Sequence, residues 1–360
     1  MPLSFDELDF GPPHYREMLP PVCKRNYGRW KYHEHVKGGI IKHVSESGEE
    51  AYSVRAGIPK YLAADTVIEL CELAERYCHG YLKFTSRHNV EFIAEDAESA
   101  LKLADELEKL GFPVGGTGRS LKAIIHCVAM SHCHMAAADS LSIAKALYEE
   151  FYDEFKNPEA FPERVKIAVS GCLNMCGATH ASDIAVIGVH RKPPVVEDGV
   201  VEKVCSVPEL VKSCPTYAIK PKRGNPESVE IDEEKCVYCG ICYSLCEGIK
   251  IHSPESDGVS LWVGGKASNT RSGPLFARLV VPYMKPEQPR WSTLIRTIRR
   301  ILETYRQNAR SGERIGEWIE RTGWERFFRL AEIDFSDKCI DDWIFSVETF
   351  RRGTCFKMTE

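Results

Sequence analysis

Hydrophobic and polar positions along this chain switch between a period of two and a period near 3.6. From about residue 40 to 115 the pattern predicts a strand over Val54–Ile58 and an amphipathic helix over Asp65–Cys78, opened by an Asp cap. Tyr81–Phe84 and Val90–Ile93 flank Arg87-His88-Asn89 and predict a hairpin, and Ala97–Leu110 repeats apolar residues at helical spacing until Gly111. Next come a flexible loop at Gly115–Gly118, strands over Ile124–Val128, Val165–Val169 and Asp183–Val189, and a helix over Ser140–Phe155. Near the end, Trp291, Leu294, Ile295, Ile298, Ile301, Leu302 and Tyr305 follow the i, i+3, i+4, i+7 rule. A further helical stretch surrounds Trp318, Trp324, Phe327 and Phe328, while residues 1–30, rich in Pro, Gly and aromatics, read as an extended arm. The fold class is α+β.

With 360 residues there is room for two or three domains, and 43 % hydrophobic and 28 % charged residues describe an ordinary globular chain. A net charge of −5 argues against bulk nucleic-acid or membrane-surface binding. The arginines opposite the apolar face of the late helix (Arg296, Arg299, Arg300, Arg306) then read as a subunit interface or a solvated face. No apolar run approaches the ~20 residues that span a bilayer. The acidic start, Met1–Glu17, lacks a signal pattern, so a cytoplasmic location is expected.

That compartment makes the fifteen cysteines informative, because clustered cysteines in a reducing cytosol more often bind metal than pair. An odd count also excludes a complete disulfide framework. One set is Cys236-x2-Cys239-x2-Cys242 with Cys214, which is followed by Pro215. Three thiolates at that spacing plus a distant Cys-Pro suit a 4Fe–4S cubane better than a structural zinc, which takes two separated pairs. Around them runs a degenerate repeat. Cys214-Pro-Thr-Tyr-Ala-Ile219 matches Cys246-Glu-Gly-Ile-Lys-Ile251, but Leu210, Val207 and Val204 stand where the cysteines before Cys214 would be. The unit therefore reads as a ferredoxin domain that kept one cluster and left Cys246 without partners. Cys23, Cys71, Cys78, Cys205, Cys339 and Cys355 read as small buried hydrophobes.

The other set, Cys127-x5-Cys133 with Cys172-x3-Cys176, resembles the cluster signature of the siroheme sulfite and nitrite reductases, as do the words Val165-Lys-Ile-Ala-Val-Ser-Gly-Cys172 and Leu173-Asn174-Met175-Cys176-Gly177. Tyr32-His33-Glu34, Arg87-His-Asn-Val-Glu-Phe92, His190-Arg-Lys-Pro-Pro194, Val263-Gly-Gly-Lys266, Pro289-Arg-Trp291 and Gly323-Trp-Glu-Arg-Phe-Phe328 extend the likeness over nearly the whole chain, to the β subunits of dissimilatory sulfite reductases. The resemblance implies an N-terminal arm and α+β half-domain over 1–115, and a siroheme- and 4Fe–4S-binding domain from 116–199 and 261–290. It further implies an inserted ferredoxin-like domain over 200–260 and a helical extension and arm over 291–360. Its cofactors would be siroheme and two 4Fe–4S clusters, with Cys176 bridging one cluster to the haem iron.

Multi-electron reduction of sulfite toward sulfide would be the activity. Arg87, Lys166 and Arg164 resemble anion-binding positions, Lys122 or Arg119 would add another, and Arg55 and Asn174 would lie against the cofactor. His132 and His134, like His126, flank the cysteines as proton donors or haem-edge hydrogen bonders. Implied partners are a related α subunit in an α2β2 tetramer, a small sulfur-carrier protein with C-terminal cysteines, and an electron donor protein. β subunits of this family typically lack the cysteine at 127 and carry Cys-Cys where this chain has Gly171-Cys172, so the pattern here is the one usual in the α subunit. The alternatives are a non-catalytic electron-transfer subunit with a blocked siroheme site, and nitrite as the substrate.

Overall fold

A computed structural model describes residues 14–268 and 271–340, so Cys355 lies outside the described residues. The chain divides into two compact units, one comprising residues to Ser120 with Asp153–Pro158, the other Leu121–Tyr152 with Glu159 onward.

The first unit is an antiparallel sheet, β1 (Trp30–Lys37), β2 (Ile40–Ser45), β3 (Glu50–Gly57), β4 (Leu82–Phe84) and β5 (Asn89–Ala94), in the order β1-β2-β3-β5-β4. Helices α2 (Ala64–Cys78) and α3 (Ala97–Lys109) share a core with it through Leu70, Leu73, Leu103 and Leu107, packed with Ile40, Val54 and Phe92. Asp96 caps α3, its side chain accepting from Ser99 N at 2.7 Å. The expected Asp cap on α2 is absent. Ala63 holds that position with no side-chain cap, and Asp65 sits inside the first turn, where it suits only the helix dipole. Within the region read as an extended arm, Pro21–Arg25 forms a short helix, α1, that buries Val22. The Gly115–Gly118 loop is packed rather than flexible. Gly115 and Gly116 donate to Arg55 O and Phe155 O at 3.0 and 2.9 Å, and a β-carbon on Gly115 would run into Phe155.

The second unit is built on a mixed sheet, β6 (Leu121–His126), β7 (Val165–Ser170) and β8 (Ile184–Val189) running parallel, with β13 (Gly258–Val263) and β14 (Arg278–Met284) added antiparallel. Joining β6 to the parallel β7 needs a crossover, and α4 (Ser140–Glu150) supplies it. The helix expected to reach Phe155 breaks at Phe151. That ring is 1 % exposed with the Arg299 guanidinium 4.8 Å from its centroid, and the chain leaves helical geometry there before α5 (Tyr152–Lys156). β7 and β8 are buried on both faces, which explains the unbroken run of β8 and the apolar Ile167–Val169 at the middle of β7.

Between β8 and β13 lie β9 (Val195–Val196), α6 (Asp198–Val204), α7 (Val207–Ser213), the hairpin β10 (Ile219–Lys222) and β11 (Asn225–Ile231), α8 (Ile241–Leu245) and β12 (Ile249–Lys250). They enclose their own core of Val201, Leu210, Ile219, Val229 and Ile249. The tail forms α9 (Ser292–Asn308), α10 (Ile315–Thr322) and α11 (Trp324–Ala331). Arginines of α9 bind within the same unit: Arg299 pairs with Glu150 at 2.5 Å, Arg300 with Glu332 at 3.1 Å, and Arg306 Nε donates to Ala160 O at 3.0 Å. Among the described residues no helix is long and apolar enough to cross a membrane.

Candidate metal centres

Parallel pairing of β6 and β7 sets His126 opposite Val169, so the two strands end side by side. Cys127 prolongs the ladder by one step, donating its N–H to Val169 O at 3.1 Å. Cys133 lies six residues on, and Cys172 and Cys176 occupy the loop that leaves β7. Loops at the carboxyl ends of parallel strands are where such sheets hold ligands. Burial raises the Cys172 thiol, the Asn174 N–H opposes that, and the charges of Cys133, Cys127 and Cys176 raise it further. Cys172 therefore stands within electrostatic reach of the other three cysteines.

Gly171 N donates to Cys127 Sγ at 3.1 Å, the kind of contact that tunes a cluster thiolate. A β-carbon on Gly171 would come within 2.9 Å of Ala129 Cβ and 3.0 Å of Ala138 O. Positions 127 and 171 are thus neighbours in space. Met175 and Ala178 both take φ of 56°, a strained turn for residues with side chains and a mark of a loop shaped around something. Cys127, Cys133 and Cys172 are half-buried, whereas Cys176 is exposed and open to a further group.

The second set closes more tightly. Cys214, Cys236, Cys239 and Cys242 line one small pocket together with Ile219 and Ile231. Thiols spread around a cavity suit a cubane, while a zinc ion needs them converging on one point. Burial, then the charges of Cys236 and Cys239, push the Cys242 thiol up to about 12. Ala218 N donates to Cys214 Sγ at 3.2 Å, and Tyr238 and Gly240 take φ of 54° and 69° to turn the loop inward.

Cys246 is not partnerless as its place in the repeat suggests: it is disulfide-bonded to Cys205, 41 residues away, with Cα atoms 5.5 Å apart. Both pack in the core that replaces a second cluster, so neither is an isolated hydrophobe. Of the others, Cys78 and Cys339 are buried, Cys23 is half-buried and Cys71 is exposed, since it falls on the outer face of α2.

In the second unit, Lys122 lies on β6 and Lys166 on β7, adjacent strands leading into the cysteine loops. Arg164 is paired with Glu163 at 3.1 Å. His132, beside Ser131 Oγ at 3.1 Å, and His134 are both exposed on the first cysteine loop, as is Asn174 on the second. In the first unit, Arg87 stands in the hairpin turn between β4 and β5, and Arg119 follows the packed glycine loop. Arg55 is half-spent on structure: Nε donates to Glu91 Oε2 at 2.8 Å and Nη1 to Gly116 O at 2.9 Å.

Sequence reasoning missed two residues on the chain between Cys176 and β8, one buried and one half-buried. Asp183, fully buried, accepts from Lys166 N at 2.8 Å and from Arg314 Nε and Nη2 at 2.8 and 2.6 Å. His180, four residues past Cys176, packs edge-on against Trp262 and Phe276, and burial lowers its imidazole to about 4, so it stays neutral. Only its place in the cysteine loop could have signalled it.

The family described as the nitrite and sulphite reductase 4Fe-4S domain matches residues 117–339, and the nitrite/sulfite reductase ferredoxin-like half domain matches 43–110. Over 98 % of this chain and 98 % of the other, it is 45 % identical to the dissimilatory-type sulfite reductase subunit beta of Archaeoglobus fulgidus. The chain belongs to this β-subunit family of dissimilatory-type sulfite reductases. The corresponding subunit of Nitratidesulfovibrio vulgaris is 41 % identical over 99 % of this chain and 97 % of its own. A subunit alpha, from Allochromatium vinosum, is 28 % identical over 82 % of this chain and 74 % of its own. Among solved structures, dissimilatory sulfite reductase I superposes with a TM-score of 0.76 at 22 % identity, covering 87 % of this chain and 79 % of that one, which speaks to the fold alone.

Proposed function

We propose that this chain is a catalytic β-type subunit of a dissimilatory-type sulfite reductase, holding siroheme and two 4Fe–4S clusters and working in the cytoplasm in an α2β2 assembly with a related α subunit. The observation that carries the reading is the pair of four-cysteine sets in a chain of this family, one lining a single pocket and one with an exposed thiol. Reduction of sulfite toward sulfide takes six electrons delivered singly, so thiolate-held stores next to the reacting site answer a chemical need. When bound, siroheme supplies an iron at which the sulfur of the anion is held and reduced.

This chain's residues do the rest. Cys176 offers its thiolate to the haem side, and Cys127, Cys133 and Cys172 hold the adjoining cluster. Cys214, Cys236, Cys239 and Cys242 hold the entry cluster, which an external donor protein reduces. Arg87, Arg119, Lys122, Lys166 and Arg164 supply positive charge for sulfite and for a carboxylate-rich haem. Arg55, tied to Glu91 across β3 and β5, braces the hairpin that carries Arg87. His132 and His134 would deliver protons, Asn174 would help hold the cofactor, and the product would pass to a small sulfur-carrier protein.

Purified with its α partner, the chain is expected to show siroheme's visible bands, iron for two clusters and sulfite-dependent oxidation of a reduced dye. Lys166→Ala and Arg87→Ala should each depress that turnover by about 10²-fold or more, the usual loss of a group that stabilises developing charge. A preparation without the bands, or with iron for a single cluster, sinks the proposal.

A further inference from the structure

We infer that Met135 is the electron bridge between the two cysteine sets, held in place by His190 and received by Gly240. The inference rests on the two-cluster reading proposed above.

Met135 stands two residues after Cys133, and Gly240 directly after Cys239, one ligand from each set. The Met135 side chain, 6 % exposed, lies over Gly240 so closely that a β-carbon there would overlap its Sδ, and would meet Ile251 Cδ1 at 3.4 Å. Gly240 also sits at φ 69°, so both backbone and space favour glycine at this point. The thioether thus fills the gap between the two ligand loops. Methionine is suited to this, being long, unbranched and polarisable.

The Met135 backbone is fixed from the other side. His190 Nε2 donates to the Met135 carbonyl at 3.1 Å, and the carbonyl can only accept. His190 Nδ1 faces Asp257 Oδ2 at 3.1 Å, both side chains being almost fully buried, and Ser253 N donates to the same Asp257 oxygen at 2.9 Å. The chain after Met135 is pinned as well, Ala137 N and Ala138 N donating to Gly171 O at 2.7 and 3.1 Å. The resulting path runs from Cys239 to Gly240, across van der Waals contact to Met135, and along two residues to Cys133. An electron crosses packed, bonded atoms faster than an open gap of the same length. The step moves one electron, oxidising the entry cluster and reducing the haem-coupled one, with no bond made or broken. Met135 and His190 are positioning residues in this scheme.

The test uses the assembled holoenzyme. The entry cluster is reduced rapidly, and the appearance of the other cluster's reduced signal is followed by freeze-quench paramagnetic resonance, with iron content and melting temperature measured alongside. Met135→Ala should keep both signals and slow inter-cluster transfer about tenfold, the equivalent of ~1.4 kcal/mol in barrier. Met135→Leu, which preserves volume, should slow it less, and His190→Gln should fall between. Direct reduction of the haem-coupled cluster by a small dye should not change, which a merely structural defect would alter. Both clusters present with an unchanged transfer rate in Met135→Ala and Met135→Leu overturns the bridge alone. A Cys239→Ser variant whose haem-coupled cluster reduces as fast as that of the wild-type protein overturns the entry-cluster reading, and the bridge with it.

Discussion

The two cysteine sets are built by opposite strategies. Cys214, Cys236, Cys239 and Cys242 come from a stretch of under thirty residues with its own small core, and line one pocket in which none of the four thiols is exposed. Cys127, Cys133, Cys172 and Cys176 depend on two parallel strands meeting across a crossover, and end with one thiol exposed. The local site is finished when its loop closes. The non-local one is left open on one side, as a site must be if a second group is to share a ligand. Enclosure suits passing an electron on; exposure suits chemistry on an outside molecule.

The largest effects should come from the ligands. Cys176→Ser is expected to abolish sulfite turnover and the haem bands yet leave the entry cluster's resonance signal. Cys242→Ser should remove that signal and roughly halve the iron, with dye-driven sulfite reduction persisting. Loss of both clusters from either variant would break the contrast. Next, Arg314→Ala strands the Asp183 carboxylate, which also holds Lys166 N, so it should cost about 3–5 kcal/mol in denaturant unfolding and loosen only the open site. A cost of ~0–1 kcal/mol, as for a surface pair, would say that the tail does not support that site.

On the enclosed side, the double variant Cys205→Ala/Cys246→Ala opens a loop of 41 residues and should lose about 2–4 kcal/mol, seen as earlier thermal loss of the entry cluster alone. A smaller effect concerns acid. Burial would raise Glu317, but Lys266 and the N–H groups of Arg314 and Ser272 outweigh it and hold the carboxyl down at about 2. Because the folded value is depressed from its ordinary 4.5, its contribution is complete above that pH and fades as pH falls toward about 2. Unfolding curves across this window should steepen for the native chain and flatten for Glu317→Gln, with the open site failing first.

Elements whose burial follows a simple period were legible from residues alone. α3 and α9 present single apolar stripes, and β8 and the middle of β7 are apolar on both sides because both faces are covered. The cysteine sets were legible because ligand spacing is itself local, and family resemblance linked the two halves of the open set. What stayed hidden depends on contacts between distant segments. Phe151 breaks its helix because the core claims its ring, Asp183 meets Arg314 across 131 residues, and Met135 finds Gly240 only after two loops have folded. The disulfide was misread for the same reason: the repeat places Cys246 among cluster ligands, while Cys205 matches no ligand position in it.

That bond also bears on how iron finds its ligands. Cys246 lies four residues beyond Cys242 and shares a core with Cys242 and Cys214. As a thiolate it would be a fifth claimant for the four corners of the entry cluster, and Cys205 a sixth. Only thiolates ligate iron, so while the two are bonded to each other neither can compete. Bonded to each other, Cys205 and Cys246 leave that pocket to the four thiols that line it.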